Sequence, residues 1–403
     1  LSPLGITPQE INELEQGLKA LTQHAFTRLE NDILPLQQLH NRRLAITETL
    51  LEPLDKAILL LEDCKRFGTL AFSHAARAGF VAMSFLKSLV HANIISLPEK
   101  QAFLSSIKTV ASQFEEDATQ VIQGNLSPEE YCSCYGHLRP GTYDIMVEAY
   151  WENPQRYLFP KLKTDKQHTS STFEFSKTTQ QAITEELESF APGLSFSAFN
   201  DYLARAIQAR ESVKFEFTRN LSCALDYFAE YGRICGFSRA EMSYLQIDEL
   251  KQLKGGSLSL TSLSEIIQQR KKTALLTQMI ELPQLILSES DFYCFERMLS
   301  QPNFITSKCV TAPLITWSEN EYHNLQGNII LIPQADPGYD WLFAHNIAGL
   351  VTKYGGANSH MAIRAAEMAL PAAIGVGDKL YEELSRANYL HLDCALQQIR
   401  GFS

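Results

Sequence analysis

The sequence predicts an α+β, multidomain chain: a large, mostly α-helical region followed by a compact domain of mixed strands and helices. Two observations carry this. Apolar residues recur at helical spacing through residues 1–300. Near Asn303 the chain then switches to short runs rich in β-branched residues, separated by turn signals. A length of 403 residues fits two or three domains at ~150 residues each.

Within the helical region, Ile11 to Leu36 places Ile11, Leu14, Leu18, Leu21, Phe26 and Leu29 on one face, with Pro35 as the expected stop. Leu44 to Phe67 continues in that style and ends near Gly68. Phe72 to Ile95 is Ala-rich and apolar on several sides, which predicts a helix packed on more than one face. Ser96 and Ser127 are expected helix caps, each followed by proline in the first turn. Tyr135 to Asp144 breaks the periodicity with Gly and Pro and gathers His137, Arg139 and Asp144. Lys163 to Thr172 reads as a polar loop. Helical spacing returns over Ile183–Phe190, Phe199–Leu225 and Thr261–Leu275, with Gly255-Gly256 as a turn. The expected domains are therefore 1–300, with a possible subdivision near 163–175, and 301–403.

In the second domain, Phe304–Thr306, Val310–Trp317, Asn328–Ile332, Gly349–Thr352 and Ala372–Val376 read as strands. Asp336-Pro337-Gly338 is a turn and Tyr339–Phe343 a short helix. Gly355-Gly356 leads into a helix ending at Pro371, and Tyr389–Asp393 with Gln398–Arg400 forms a terminal hairpin.

Composition narrows the function. A net charge of -11 argues against nucleic acid or an anionic membrane as the main partner. No apolar run approaches the ~18 residues of a membrane span, and no secretory signal is visible. The eight cysteines are scattered, and Cys132-Ser133-Cys134 is not a zinc spacing, so reduced thiols, a cytoplasmic protein and no metal site are expected.

The string that carries chemistry runs from Thr352 to Pro371. A strand runs into Gly355 and Gly356, which let backbone approach a ligand closely. Asn358 and Ser359 are good caps, which puts His360 in the first turn of a helix. A helix N-terminus binds anions through its free N–H groups and disfavours an imidazolium. The same geometry thus prepares a nucleophilic ring and receives a phosphoryl group on it. Arg364 lies four residues on, on the same face, placed to pair with phosphate oxygens. Taken alone, the string serves an ordinary strand–turn–helix junction equally well.

The string closely resembles the signature of the PEP-utilising enzymes: PEP synthase, pyruvate phosphate dikinase, enzyme I of the sugar phosphotransferase system and rifampin phosphotransferase. Thr352, Gly355, Gly356, Ser359, His360, Ala362, Ile363, Ala365, Glu367, Pro371, Ala372 and Gly375 occupy positions of that pattern, and Ala335-Asp336-Pro337-Gly338 matches upstream. Ala366 stands where the family usually has arginine, and Ala369 where it usually has glycine. The resemblance covers residues 303–403. It implies a swivelling β/β/α phosphohistidine domain in which His360 is phosphorylated, with Thr352, Gly355, Gly356, Asn358, Ser359 and Arg364 around the phosphoryl group.

Tyr135 to Asp144, and Arg210-Glu211 with Phe217-Thr218-Arg219, resemble parts of the substrate domain of rifampin phosphotransferase more weakly. Phe67–Phe72 with Ala75–Phe80 resembles helical regions that precede the swivelling domain in dikinase-like proteins. By these likenesses Arg77, His137, Arg139, Asp144, Arg210 and Arg219 are candidates for binding a small-molecule acceptor. Structural ion pairs between helices account for the same residues. Residues 1–300 lack the strand-rich, Gly-rich character of an ATP-grasp domain, and no TIM barrel follows. The resemblance therefore implies the C-terminal part of a dikinase-like phosphotransferase, with ATP and Mg²⁺ held by an ATP-grasp domain upstream or on another chain. The alternatives are a phosphocarrier delivering phosphate to another protein and a non-catalytic interaction module.

Overall fold

The structure is a computed structural model of the chain, in which residues 6–140, 143–159, 173–280, 286, 288–293, 301–317, 325–357 and 359–402 are described. Helices α1 (Pro8–Ile33), α2 (Pro35–Glu48) and α3 (Pro53–Asp63) lead into a π-helical turn, Cys64–Thr69. Helices α4 (Leu70–His91), α5 (Leu97–Ser106), α6 (Val110–Ile122), α7 (Pro128–Tyr135) and α8 (Pro154–Tyr157) follow. Next come α9 (Lys177–Phe190), α10 (Phe196–Cys235), α11 (Arg239–Met242), α12 (Ile247–Lys254) and α13 (Leu260–Gln278). The strand region contains β1 (Asn303–Ile305), β2 (Cys309–Thr316), β3 (Ile329–Gln334), β4 (Gly349–Tyr354), α14 (His360–Glu367), β5 (Ala372–Ile374), α15 (Gly377–Leu384), β6 (Tyr389–Asp393) and β7 (Gln398–Phe402).

Helix α1 ends at Ile33, just before Pro35 as expected, and Pro35 itself takes the first position of α2, where its missing N–H costs nothing. One reading of the helices is corrected. The run expected from Leu44 to Phe67 is broken between Glu48 and Pro53, because Pro53 also takes a helix-start position. The caps were legible: Ser96 accepts from the Glu99 amide, and the Glu99 carboxylate accepts from the Ser96 amide.

The chain divides into two compact units, Leu1–Tyr131 with Lys166–Tyr227, and Cys132–Asp165 with Phe228–Ser403. Asn303 thus marks where strands begin, not where the units divide. The first unit is helical. Its core is built on a small-residue stripe of α4 (Ala71, Ala75, Ala78, Ala82), continued by Leu86, against Phe199, Leu203 and Ala206 of α10. Small residues let the two backbones come close: a Cβ on Gly79 would sit 3.4 Å from the Ala206 carbonyl oxygen. Phe26 of α1 closes the cluster edge-on to Tyr202, at 4.7 Å between ring centres.

In the second unit the strands form one sheet in the order β1-β5-β4-β3-β2-β6-β7. Strands β2, β3, β4 and β5 are parallel neighbours, while β1, β6 and β7 pair antiparallel at the edges. Ile329, Ile330, Leu331 and Ile332 of β3 are wholly buried, as a central parallel strand requires. The 3₁₀ stretch Pro337–His345 joins β3 to β4. Within this unit the Tyr150 hydroxyl donates to the Gly338 carbonyl at 3.0 Å, and Tyr157 packs edge-on to Trp341. Segment 132–165 is thereby tied to the strand region.

Helix α14 ends in a left-handed residue. The Leu370 amide donates to the Ala365 carbonyl at 2.8 Å, and Ala369 takes φ +49°. An alanine there costs about 1–2 kcal/mol, whereas glycine costs only its extra chain entropy, about 0.5–1 kcal/mol. Ala369→Gly is therefore expected to stabilise the second unit by up to about 1 kcal/mol. The measurement is the urea midpoint of the full chain, and an unchanged or lower midpoint contradicts it.

Candidate active site

The site forms at the carboxyl ends of two parallel strands, where α/β sheets bind ligands. β4 ends at Tyr354 and β5 at Ile374, and both are followed by glycine. Gly355 has φ +141°, and a Cβ on it would lie 2.5 Å from that of Ala335. Gly375 has φ +75°, and a Cβ on it would lie 2.4 Å from the Gly355 carbonyl oxygen. Neither position admits a side chain. Gly356 is different: it is exposed, and nothing lies within 4 Å of where its Cβ would be.

Thr352 locks this junction. It is completely buried; its hydroxyl donates to the Tyr354 carbonyl at 3.0 Å and accepts from the Gly375 amide at 3.0 Å. Its carbonyl also accepts from the amides of Gly375 and Val376. The single hydroxyl proton is used inside the protein, so Thr352 shapes the loop that leads to His360.

The loop then runs out to solvent through Gly355, Gly356 and Ala357, all exposed. Asn358 lies outside the described residues. Ser359 caps α14: its hydroxyl accepts from the Ala362 amide at 3.3 Å, and its own amide donates to the Gly356 carbonyl at 3.0 Å. His360 is the first helical residue and is half-buried. Met361, Ala362 and Ala365 bury the opposite face of α14. The ring therefore sits at the positive end of the helix beside an exposed glycine loop, an arrangement suited to receiving an anion.

Arg364 is 3% exposed, and its guanidinium lies 5.8 Å from the ring centre of Phe343. Ala366, at the place of the family arginine, is exposed. The two residues thus occupy different surroundings, one packed inside and one at the surface.

A charged group that the sequence reading passed over flanks the loop. Lys353 Nζ lies 2.7 Å from Asp378 Oδ1, which also accepts from the Tyr354 hydroxyl at 2.6 Å. The Lys353 ammonium, then the Tyr354 hydroxyl, hold the Asp378 carboxyl below its ordinary range. This trio fastens the end of β4 to the first turn of α15.

The six acceptor candidates fall into both compact units. Arg77, Arg210 and Arg219 belong to the first, and His137, Arg139 and Asp144 to the second. Arg77 is exposed on α4, and Arg210 stacks over Phe80 at 5.6 Å. Arg219 pairs with Glu216 at 3.2 Å. Glu216 also binds Arg43, buried on α2, at 2.9 Å, and Arg43 reaches Asn220 at 3.2 Å. Neither Arg43 nor Asn220 was picked out from the sequence; each is an ordinary polar residue on a helix until the pairing of α2 with α10 buries it. His137 and Arg139 are buried, and Arg139 donates to the Val147 carbonyl. The Asp144 carboxylate accepts from the Met146 amide at 2.9 Å. Arg139 and Asp144 therefore hold the turn on which they lie.

Residues 324–396 match the family model described as PEP-utilising enzyme, mobile domain. In that family this is the domain that bears phosphohistidine. The match covers β3 to β6 and includes the glycine loop and His360. No curated protein matches the chain. Among the described residues, no helix is long and apolar enough to cross a membrane.

Two outcomes follow from this geometry. Thr352→Val removes both side-chain hydrogen bonds at the junction and is expected to cost about 1–3 kcal/mol, since buried partners lose their bonds. Denaturant unfolding reads the change, and a cost near zero refutes the locking role. For Asp378, the folded pKa lies below the 3.8 of the free side chain. Its stabilisation is complete above about pH 4 and is lost as pH falls through the lower folded value. Asp378→Asn is thus expected to lose less stability than the wild type between pH 5 and pH 2, measured by urea unfolding at each pH.

Proposed function

We propose that His360 accepts a phosphoryl group and passes it to a small acceptor bound by the helical region, as part of a dikinase-like phosphotransferase. The observation that carries this reading is the position of His360: first in α14, half-buried, beside an exposed glycine loop, within the segment that matches the mobile domain.

In this reading an imidazole nitrogen attacks phosphorus with its lone pair. A P–N bond forms, and the donor's P–O bond breaks with its electron pair leaving on the donor oxygen. The first-turn amides of α14 stabilise the charge on the phosphoryl oxygens. An acceptor hydroxyl then attacks the same phosphorus; the P–N bond breaks, its electron pair returns to the ring, and the hydroxyl gives up its proton. ATP is the proposed source, held with Mg²⁺ by an ATP-grasp domain upstream or on another chain, where the ion would offset the charge of the phosphates. Arg77, Arg210 and the Arg43–Glu216–Arg219 group are the proposed places to look for acceptor contacts in the first unit.

The test is phosphorylation of the full chain by Mg²⁺-ATP with an ATP-grasp domain, and in parallel by phosphoramidate, which needs no partner. An acid-labile, base-stable phosphohistidine mapped to His360 is expected, and its loss of at least 100-fold in His360→Ala. Equal labelling of wild type and variant ends the proposal. If the label moves from His360 only to another protein, the chain is a phosphocarrier. If His360 takes no label from any donor, the domain is an interaction module.

A further inference from the structure

Three metal-binding side chains meet on the outer face of the β2–β6 pair, away from the glycine loop. Cys309 pairs in register with Asp393, and Thr311 with His391. Cys309 Sγ lies 3.8 Å from His391 Nε2, and the ligand atoms of Cys309, His391 and Asp393 all lie within 4.8 Å of one another. A tetrahedral zinc ion, with Zn–S ~2.3 Å and Zn–N ~2.0 Å, would separate sulfur from nitrogen by ~3.5 Å. The observed spacing needs only a small side-chain adjustment to close on an ion.

The surroundings suit a cation. Thr311 Oγ1 lies 2.7 Å from His391 Nδ1. By accepting the Nδ1 proton, that hydroxyl leaves the Nε2 lone pair directed at Cys309; such an outer partner is a regular feature of metal-bound histidines. One Asp393 oxygen accepts from the Leu396 amide at 2.9 Å, which fixes the carboxylate. Arg400, opposite His391 on β7, is engaged by the Gln398 side-chain oxygen at 3.2 Å.

The geometry points to a zinc-type divalent cation site formed by Cys309 Sγ, His391 Nε2 and an Asp393 oxygen, with the fourth position open to water on the exposed side. The set mixes sulfur, nitrogen and oxygen, which favours zinc over calcium or magnesium. Such an ion ties β2 to the terminal hairpin across the sheet. It was not expected from the sequence, where Cys309 on β2 lies far from His391 and Asp393, which are two apart on β6.

The probe is Co²⁺, titrated into the full untagged chain under reducing conditions, with Zn²⁺ as competitor. One equivalent per chain is expected, giving a sulfur-to-cobalt charge-transfer band that Zn²⁺ removes. Cys309→Ser should abolish the band. His391→Ala and Asp393→Asn should weaken binding at least tenfold, and Thr311→Val by about tenfold, as other outer-partner losses do. Cys134→Ser, an exposed thiol elsewhere, should change nothing. Far-UV circular dichroism checks that each variant is folded. Absence of the band at saturating Co²⁺, its survival in Cys309→Ser, or unchanged affinity in both His391→Ala and Asp393→Asn overturns the proposal. None of these outcomes depends on whether His360 is phosphorylated.

Discussion

Gly355 and Gly375 meet backbone to backbone, and Thr352 bridges the gap with its hydroxyl. This contact joins the ends of two parallel strands more tightly than any side chain would allow. It fixes the direction in which the chain leaves β4 and hence where α14 begins. A Cβ at either glycine would force the strand ends apart, moving the first turn of α14 and with it His360. The site is therefore set by steric exclusion at two residues and by one buried hydroxyl, none of which needs to touch a ligand.

Much of this was legible because the determinants are local. Two glycines after a β-branched strand, a serine cap and a buried helix face announce a strand–turn–helix junction within a few residues. The β3 run was equally plain, since a central parallel strand is apolar throughout. What stayed hidden depends on pairings distant in sequence. Residues 132–165 group with the strand region because Tyr150 bonds to Gly338 and Tyr157 meets Trp341, and no periodicity encodes that. Arg139, an acceptor candidate by resemblance, donates to the Val147 carbonyl, a pairing eight residues away that no periodicity encodes. Pro35 marked the end of α1 correctly; that it also opens α2 is decided by the backbone path, which a proline alone does not encode.

The Cys309–His391–Asp393 group shows the same limit from another side. Metal motifs are read from sequence when ligands lie a few residues apart. Strand pairing brings together residues 80 apart as easily as neighbours. Within β6 the spacing of His391 and Asp393 is two, which only says that both point to one face. The third ligand comes from the register of β2, which no inspection of β6 alone supplies.

The two departures from the family pattern, Ala366 and Ala369, have different physical meanings. Ala369 keeps the left-handed turn that glycine makes without strain, so the path of the chain survives the substitution at an energetic cost. Ala366 is exposed, so a longer side chain at this position would have solvent to reach into. Arg364 occupies a different place, buried with its guanidinium 5.8 Å from the ring centre of Phe343. The first turn of α14 is seated by the buried Met361, Ala362 and Ala365, so the packing of this helix, rather than any side chain at position 366, sets where the His360 ring lies and where the helix's free amides point.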